Sequence, residues 1–571
     1  MGIPAYMSYI LKNYANIIQS IESHKKNKTK FDCLYMDCNS IIYDVFNLLE
    51  KIDYENIEEF IILKVIEKIE YYILTIAPTD ILYIAFDGVA PFSKMEQQRV
   101  RRYKTWHTST FIFNEQLNNK TDEMNKTNKT NKMNWSTSSI TPGTLFMNNL
   151  SKKIKQQFES LEKEKKYGIN KIIVSGSDEV GEGEQKIFKY FRHHEEEHIE
   201  KNILVYGLDS DLIMLSIFHC NRCNNIFVFR EEIEFKLSKN KKTINNVENI
   251  DNKNKNLMFL DIQRLSESIL FEMTGKSFGN VSKKIGLDNY LSEGVQRVYD
   301  YLFLCFFLGN DFLPHYPSLN IRTNGIMLLL DTYKQVIGKY HDRGFISSYG
   351  KIQWKWLKKF IETLAKNEKQ MFLSEYEVRE KMDNYKWQQT TNEEKEYVLH
   401  NTPIILRTEE KYICPTENMW EERYYKILFD KERTEKHVEK IATNYLEGIE
   451  WVFKYYTEDC PDWKWKYHYH YPPLFVDLMK YIPDCEKDYI GFYKTIPFTP
   501  SLQLSYVLPE KNHFLLGEKK KEFLKKNYPC LFPKEMIYKW AFCRYFFESH
   551  ILLPEISIEI LEKLEREIIL L

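Results

Sequence analysis

Residues 203–211 read ILVYGLDSD, a short apolar run closed by a glycine and then by two acids, Asp209 and Asp211. The part at 203–207, rich in Ile, Leu, Val and Tyr, predicts a strand. The same order recurs upstream: CLYM at 33–36 ends on Asp37, ILYIAF at 81–86 ends on Asp87, and KIIVS at 171–175 leads into a loop carrying Glu182 and Glu184. Helical patterns lie between these runs. One covers 57–77, where Phe60, Ile61, Leu63, Val65, Ile66, Ile69, Ile73 and Leu74 are interleaved with Glu and Lys. Another covers 144–163, behind the TPG turn at 141–143. Strands alternating with helices predict an α/β fold with a largely parallel central sheet flanked by helices.

Ligands of open α/β sheets gather outside the carboxyl ends of the strands, so acids placed there by four strands converge although they lie far apart in the chain. Asp209 and Asp211, two residues apart, project to one face of extended chain. Glu182 and Glu184 are interleaved with Gly181 and Gly183, which let the backbone bend, and they open a helical run (QKIFKYFR) whose N-terminal dipole favours negative charge. Asp311, in GND after an apolar helix at 301–308, supplies a seventh acid. A lone acid after a strand is ordinarily a helix N-cap. Four acidic strand ends, two of them with paired acids, are harder to explain that way. Seven carboxylates in a partly dry pocket repel one another and protonate unless cations neutralise them. An oxygen-only donor set, with no His and Cys grouping nearby, suits Mg²⁺ or Mn²⁺. Two such ions, about 3.5–4 Å apart, would activate water and stabilise the leaving oxygen of a phosphodiester.

At 571 residues, 43% hydrophobic and 15% aromatic, the chain is globular and longer than one core usually serves. From about residue 350 it becomes Trp- and Tyr-rich and helical, with Pro472, Pro473, Pro483, Pro497 and Pro500. The expected division is therefore a core at 1–349 and a mainly helical region at 350–571. The polar, repetitive stretches 118–138 and 239–256 read as surface insertions. The ten cysteines are scattered, and Cys33, Cys38 and Cys305 lie in apolar runs, as reduced thiols do in an intracellular protein. Cys220 and Cys223 have no second pair nearby and read as free thiols rather than half a zinc knuckle. No apolar run is long enough to span a membrane. A formal charge of −1, from 80 Lys and Arg against 81 Asp and Glu, argues against nonspecific coating of nucleic acid. Within that neutral background, residues 94–104 carry Lys94, Arg99, Arg101, Arg102 and Lys104 against Glu96 alone, a patch suited to one anionic group.

The blocks MGIPAYMSYI, LYMDCNSII, AFDGVAPFSKMEQQRVRRY, ITPGTLFM, GSDEVGEGEQKI, YGLDSDLIML and FLGNDFLPHYPSLNI, in this order, resemble the XRN family of 5′-to-3′ exoribonucleases. The resemblance implies a PIN/FEN-like nuclease core in which Asp37, Asp87, Glu182, Glu184, Asp209, Asp211 and Asp311 bind two divalent ions, Mg²⁺ or Mn²⁺. It implies a pocket for a 5′-monophosphate at Lys94, Gln98, Arg101 and Arg102. Arg101 and Arg102 offer planar donor forks, Lys94 a point charge and Gln98 a neutral donor. The expected substrate is single-stranded, decapped RNA with a 5′-monophosphate, degraded to mononucleotides. The family sandwiches the first bases between a His and a Trp. Here Tyr43 stands at the His position, and Trp465, with Trp463 as the alternative, matches the Trp within DWKWKYHYHYPPLF. YLEGIEWVFKYY and FTPSLQLSYVLP extend the resemblance into the second region. Gly2 and Pro4 resemble the family's N-terminus, which lies near the active site. Long C-terminal extensions are expected to be absent. A monomer in the cytoplasm is expected, with the nucleus left open. The competing expectations are a flap endonuclease acting on DNA, which shares the acidic sheet core, and a catalytically idle RNA-binding scaffold.

Overall fold

The computed structural model describes residues 2–3, 5–26, 29–49, 56–118, 135–207, 209–231, 256–278, 291–383, 385–533 and 535–571. One seven-stranded sheet organises the first half: β1 (Ile18–Ser20), β2 (Cys33–Asp37), β3 (Ile81–Ala85), β4 (Lys171–Ser175), β5 (Asn202–Tyr206), β6 (Asn225–Glu231) and β7 (Leu257–Asp261), in the spatial order β1-β7-β6-β5-β2-β3-β4. The run β6-β5-β2-β3-β4 is parallel, and β7 and β1 extend it through antiparallel pairings. The largely parallel sheet is thus as expected, with β1, β6 and β7 added to the four strands legible in the sequence.

Side chains alternate between two cores. Cys33, Tyr35, Ile81, Tyr83, Ile203 and Val205 belong to one, and Leu34, Met36, Leu82, Ile84, Leu204 and Tyr206 to the other. Burial on both faces explains why these strands read as unbroken apolar runs. The helices that matter for the site are α1 (Asn39–Leu49), α2 (Ile57–Ile76), α3 (Phe92–Asn118), α4 (Gly183–His193), α5 (Ser210–His219), α6 (Glu293–Phe306), α7 (Trp354–Glu380), α8 (Glu435–Thr457) and α9 (Pro500–Val507). The helix expected at 144–163 is two helices, Leu145–Phe158 and Leu161–Tyr167, because Ser160 accepts from the Lys163 N–H and caps a new start. The run expected at 301–308 is the end of the longer α6.

Helices of the second region share the first core: Leu357 and Phe360 of α7 and Leu446, Ile449 and Val452 of α8 join the same cluster as Ile203 and Tyr301. α8 therefore packs against the sheet layer and reaches the strand ends. α3 docks on the C-terminal segment through Phe92 and Met95, which cluster with Leu502, Leu504 and Leu561. Most of the expected insertions, 119–134 and 239–255, lies outside the described residues. Trp135, assigned by composition to the first of them, is instead packed against Phe46 and Phe146, and its indole N–H donates to Glu58 at 3.2 Å. Cys220 and Cys223 are buried free thiols. Among the described residues no helix is long and apolar enough to cross a membrane.

Candidate active site

Strand register sets the acids level. Asp37 pairs with Ala85, and Ala85 with Ser175, so the chain leaves β2, β3 and β4 at one edge of the sheet. Met36 pairs with Tyr206, which brings the exit of β5 to the same edge. Close contacts then join the acids. The Gly183 N–H donates to Asp87 Oδ1 at 2.7 Å, and a Cβ on Gly183 would lie 2.7 Å from Asp37 Oδ1 and 3.5 Å from Asp87 Oδ1. Only a glycine lets the start of α4 approach both carboxylates so closely. Asn39, at the start of α1, accepts from the Asp87 N–H at 3.2 Å and donates its own N–H to Asp37 at 3.4 Å. Lys186 clamps the strand ends from α4, its Nζ donating to Phe86 O at 2.8 Å and Gly176 O at 2.6 Å.

Glu182 and Asp209 occupy helix N-cap positions, yet neither side chain caps its helix. The ordinary reason for an acid at these positions is therefore missing. Glu182 instead accepts from Tyr455 Oη at 2.9 Å and pairs with Lys94. Asp211 accepts from Tyr456 Oη at 2.7 Å. Asp311 pairs with Lys94 Nζ at 2.7 Å and accepts from the Gly2 N–H at 3.1 Å. A Cβ on Gly2 would lie 2.7 Å from Asp211 Oδ1, so the N-terminal segment lies against the acids. Pro4 lies outside the described residues. Glu182, Glu184 and Asp211 are buried, whereas Asp209 is exposed at the rim.

Electrostatics couples all seven. Burial, then repulsion from Asp87 and Asp209, pushes the Asp37 carboxyl well above its usual range. Burial and Asp211 do the same to Glu184, while burial and Asp311 push Asp211 up to about 6. Burial also raises Glu182, although Lys94 opposes it. Asp311 moves the other way: despite burial, Lys94 holds it well below the carboxylate range. A like-charged pair about 4 Å apart costs about 4 kcal/mol at an effective dielectric of ~20, so such a cluster needs countercharge. Among the described residues no group of three or more His, Cys, Asp or Glu side chains stands arranged to hold a metal ion. Lys94 is a cation that two of these acids, Glu182 and Asp311, close on. The donor set itself is all carboxylate oxygen, with Asp37, Glu182, Glu184 and Asp211 raised by burial first and by neighbouring acids second, and it fits hard divalent ions.

The basic patch beside this cluster is not one site. Arg99 is buried and donates to Tyr506 Oη, Leu531 O and Pro554 O, and Lys104 donates to Phe547 O and Ser549 O. Both anchor α3 to the C-terminal segment. Arg101 and Arg102 have no acidic partner among the described residues, and Arg102 Nη1 is buried without a hydrogen-bond partner. Burial, then Arg101, lowers the Arg102 guanidinium to about 10, and Tyr43 lies near enough to oppose that shift. Gln98 accepts at its Oε1 from Gln503 Nε2 at 3.2 Å, which fixes its amide with the nitrogen left as donor. Tyr43 is half-buried. Trp465, preferred on sequence grounds, is 8% exposed and stacks on Trp451 at 5.2 Å and 22°. Trp463 is half-buried and its carbonyl accepts from the Phe92 N–H at 2.9 Å, next to the start of α3. Trp465 is thus the more deeply packed of the two tryptophans, and Trp463 the more accessible. Tyr455, Tyr456, Asn39 and Lys186 were not legible as site residues, because Tyr on an apolar helix ordinarily reads as core.

A largely parallel sheet with carboxylates at one edge, met there by Tyr455 and Tyr456 of the helical second region, defines the class: an α/β protein with acids gathered at its strand ends. The chain belongs to the XRN family: residues 1–232 match XRN 5'-3' exonuclease N-terminus, and residues 294–419 and 413–531 match Xrn1 helical domain. The 5'-3' exoribonuclease 1 of Saccharomyces cerevisiae is 27% identical over 90% of this chain and 40% of its own length. The 5'-3' exoribonuclease 2 of Gallus gallus is 27% identical over 89% of this chain and 63% of its own. The 5'-3' exoribonuclease 2 homolog of Drosophila melanogaster is 25% identical, with 89% and 64% covered. The chain thus spans less than two thirds of each of these relatives.

Proposed function

We propose that the chain is a 5′-to-3′ exoribonuclease that hydrolyses single-stranded, 5′-monophosphorylated RNA to mononucleotides, with two divalent ions, Mg²⁺ or Mn²⁺, held by Asp37, Asp87, Glu182, Glu184, Asp209, Asp211 and Asp311. The observation that carries this reading is the buried, unpartnered Nη1 of Arg102, on the same helix as Lys94, which itself sits among the acids. A buried guanidinium nitrogen with no partner among the described residues, on the helix that carries Lys94 into the acids, is met by an anion. A terminal phosphate on the strand whose next linkage enters the pocket meets that need.

When bound, the ions supply an activated water and a Lewis-acid hold on the leaving oxygen. Arg101, Arg102 and Gln98 bind and orient the terminal phosphate, and the family resemblance implies selection against a cap or a triphosphate there. Tyr456 and Tyr455 hold Asp211 and Glu182 in place through their hydroxyls. Tyr43 and one of the two tryptophans, Trp465 or the more accessible Trp463, offer faces for sequence-tolerant stacking, about 1–3 kcal/mol per base. Tyr43 lacks the imidazole of the family's His and stacks as a neutral ring.

Incubating 5′-monophosphorylated RNA, 5′-hydroxyl RNA and a DNA flap with the protein, with Mg²⁺ or with EDTA, tests the reading. Mononucleotide release from the monophosphorylated RNA alone, abolished by EDTA, is expected. Preferential cutting of the DNA flap overturns it in favour of a structure-specific endonuclease, and RNA binding without turnover overturns it in favour of a scaffold.

A further inference from the structure

Lys94 is claimed by two sites at once. On α3 it shares a face with Gln98 and Arg101, four and seven residues on, because those offsets return to nearly the same side of a helix. That face carries the proposed phosphate donors. Yet the ammonium itself points into the acids, pairing with Glu182 and lying 2.7 Å from Asp311, with the Phe312 ring 5.8 Å away. Its side chain is 13% exposed and those of the two acids 6% and 3%. A buried ion triad is held only while each charge has its partner. Divalent ions seeking Glu182 and Asp311 therefore meet a cation already in place, and the ammonium must give up at least one of its two acids. Its four-carbon stem lets the head swing without moving α3, and the neighbouring Gln98 and Arg101 face is where it arrives.

We propose that Lys94 is an exchangeable countercation: it offsets part of the charge of Glu182 and Asp311 while no divalent ion is bound, and its ammonium turns to the 5′-phosphate when one is. The proposal rests on the nuclease reading above and adds a regulation to it. Metal and terminal phosphate then strengthen one another, since each favours the same position of one side chain, and the coupling is reciprocal. A protein without bound metal keeps Lys94 among its acids and so has a weakened phosphate site. RNA without metal, or metal without RNA, is bound less tightly than both together.

The test is Mn²⁺ binding to the intact protein without RNA, read as free Mn²⁺ by electron paramagnetic resonance, for wild type and Lys94→Gln. Removing the competing ammonium is expected to tighten Mn²⁺ binding about tenfold, within the usual range of coupling between sites. A lysine that served the phosphate alone leaves that affinity unchanged, and an unchanged or weakened affinity overturns the proposal. Lys94→Met serves if the first variant folds poorly. In either variant the rise in melting temperature on Mn²⁺ saturation is expected to exceed that of wild type, because the variant lacks the Lys94 ammonium that competes with the ion; an equal or smaller rise overturns the proposal. Wild-type hydrolysis of 5′-monophosphorylated RNA is measured on the same preparations. Metal-dependent hydrolysis with an unaltered Mn²⁺ affinity in the variant removes this proposal and leaves the nuclease reading standing. No Mn²⁺ binding and no hydrolysis by wild type removes both.

Discussion

Replacing Gly183 by alanine probes the convergence of the acids with one methyl group. The added Cβ would stand 2.7 Å from Asp37 Oδ1, 3.2 Å from Asp37 Cγ and 3.5 Å from Asp87 Oδ1. Contacts that short cannot persist, so Asp37 or the start of α4 must move. Asp37 closes a central strand bonded on both sides by β3 and β5, so its backbone is held and its short side chain is the part that rotates. Overpacking of this kind costs about 1–3 kcal/mol. Alanine in place of glycine at a helix start recovers about 0.5–1 kcal/mol of that in backbone entropy. The net loss of stability is therefore small, roughly 0–2.5 kcal/mol. Chemistry is less forgiving, because a displacement near 1 Å of a reacting group can cost about 100-fold. Gly183→Ala is thus expected to fold, to melt within a few degrees of wild type, and to release mononucleotides from 5′-monophosphorylated RNA about 100-fold more slowly at saturating Mg²⁺. Initial rates and a melting curve on one preparation decide it. Wild-type turnover in a folded Gly183→Ala protein would refute the placement of Asp37 and Asp87 against α4.

The other expectations address separate parts of the site. Asp209→Ala, at the exposed rim, is expected to abolish hydrolysis while RNA binding remains measurable by a filter or gel assay, and retained turnover would remove the acid cluster from the chemistry. Replacing Arg101 and Arg102 together by alanine is expected to erase the preference for 5′-monophosphate over 5′-hydroxyl ends, read as the ratio of kcat/KM values; an unchanged ratio places the phosphate elsewhere. Tyr456→Phe deletes the 2.7 Å hydroxyl donor to Asp211, and a hydrogen bond to a charged acceptor is worth about 1.5–3 kcal/mol, so kcat/KM is expected to fall by about 10- to 100-fold. Away from the acids, Glu231 is buried, which pushes its carboxyl up, but Lys68 and Arg230 outweigh burial and hold it down to about 2. Its folded pKa lies below the unfolded one, so it adds stability above about pH 4.5 that drains away as pH falls toward 2, at most roughly 3 kcal/mol. Glu231→Gln is expected to flatten that part of the acid-denaturation curve, and a curve of unchanged steepness would show the pair with Lys68 to be idle.

What was legible in the sequence, and what was not, follows from where each signal is written. β2, β3 and β5 are buried on both faces almost throughout, so their apolar runs are nearly unbroken and the closing acid stands out; β4, at the sheet edge with Lys171 exposed, still carries the apolar run IIV. β1 is three residues long and β7 follows a polar tract, so neither offers a window long enough for a period to show. The acids could be grouped because an acid at a strand end has few structural duties, and the missing side-chain caps at Glu182 and Asp209 remove the commonest of them. The basic patch misled for the opposite reason. Arg99 and Arg101 look alike in the sequence, but two residues of helix turn a side chain by about 200°, so one faces Tyr506 and Leu531 and the other does not. Charge density along a chain cannot distinguish an anion site from an anchor; only the phase of the helix relative to its neighbours does, and that phase is set here by Phe92 and Met95 packing on a segment 400 residues later. The same holds for Tyr455 and Tyr456, adjacent on α8 yet reaching Glu182 and Asp211. Their role depends on where α8 lies over the sheet edge, which is fixed by long-range packing through Leu446, Ile449 and Val452. Residues whose function follows from their own strand can be read locally, while residues whose function follows from how two regions pack require the fold.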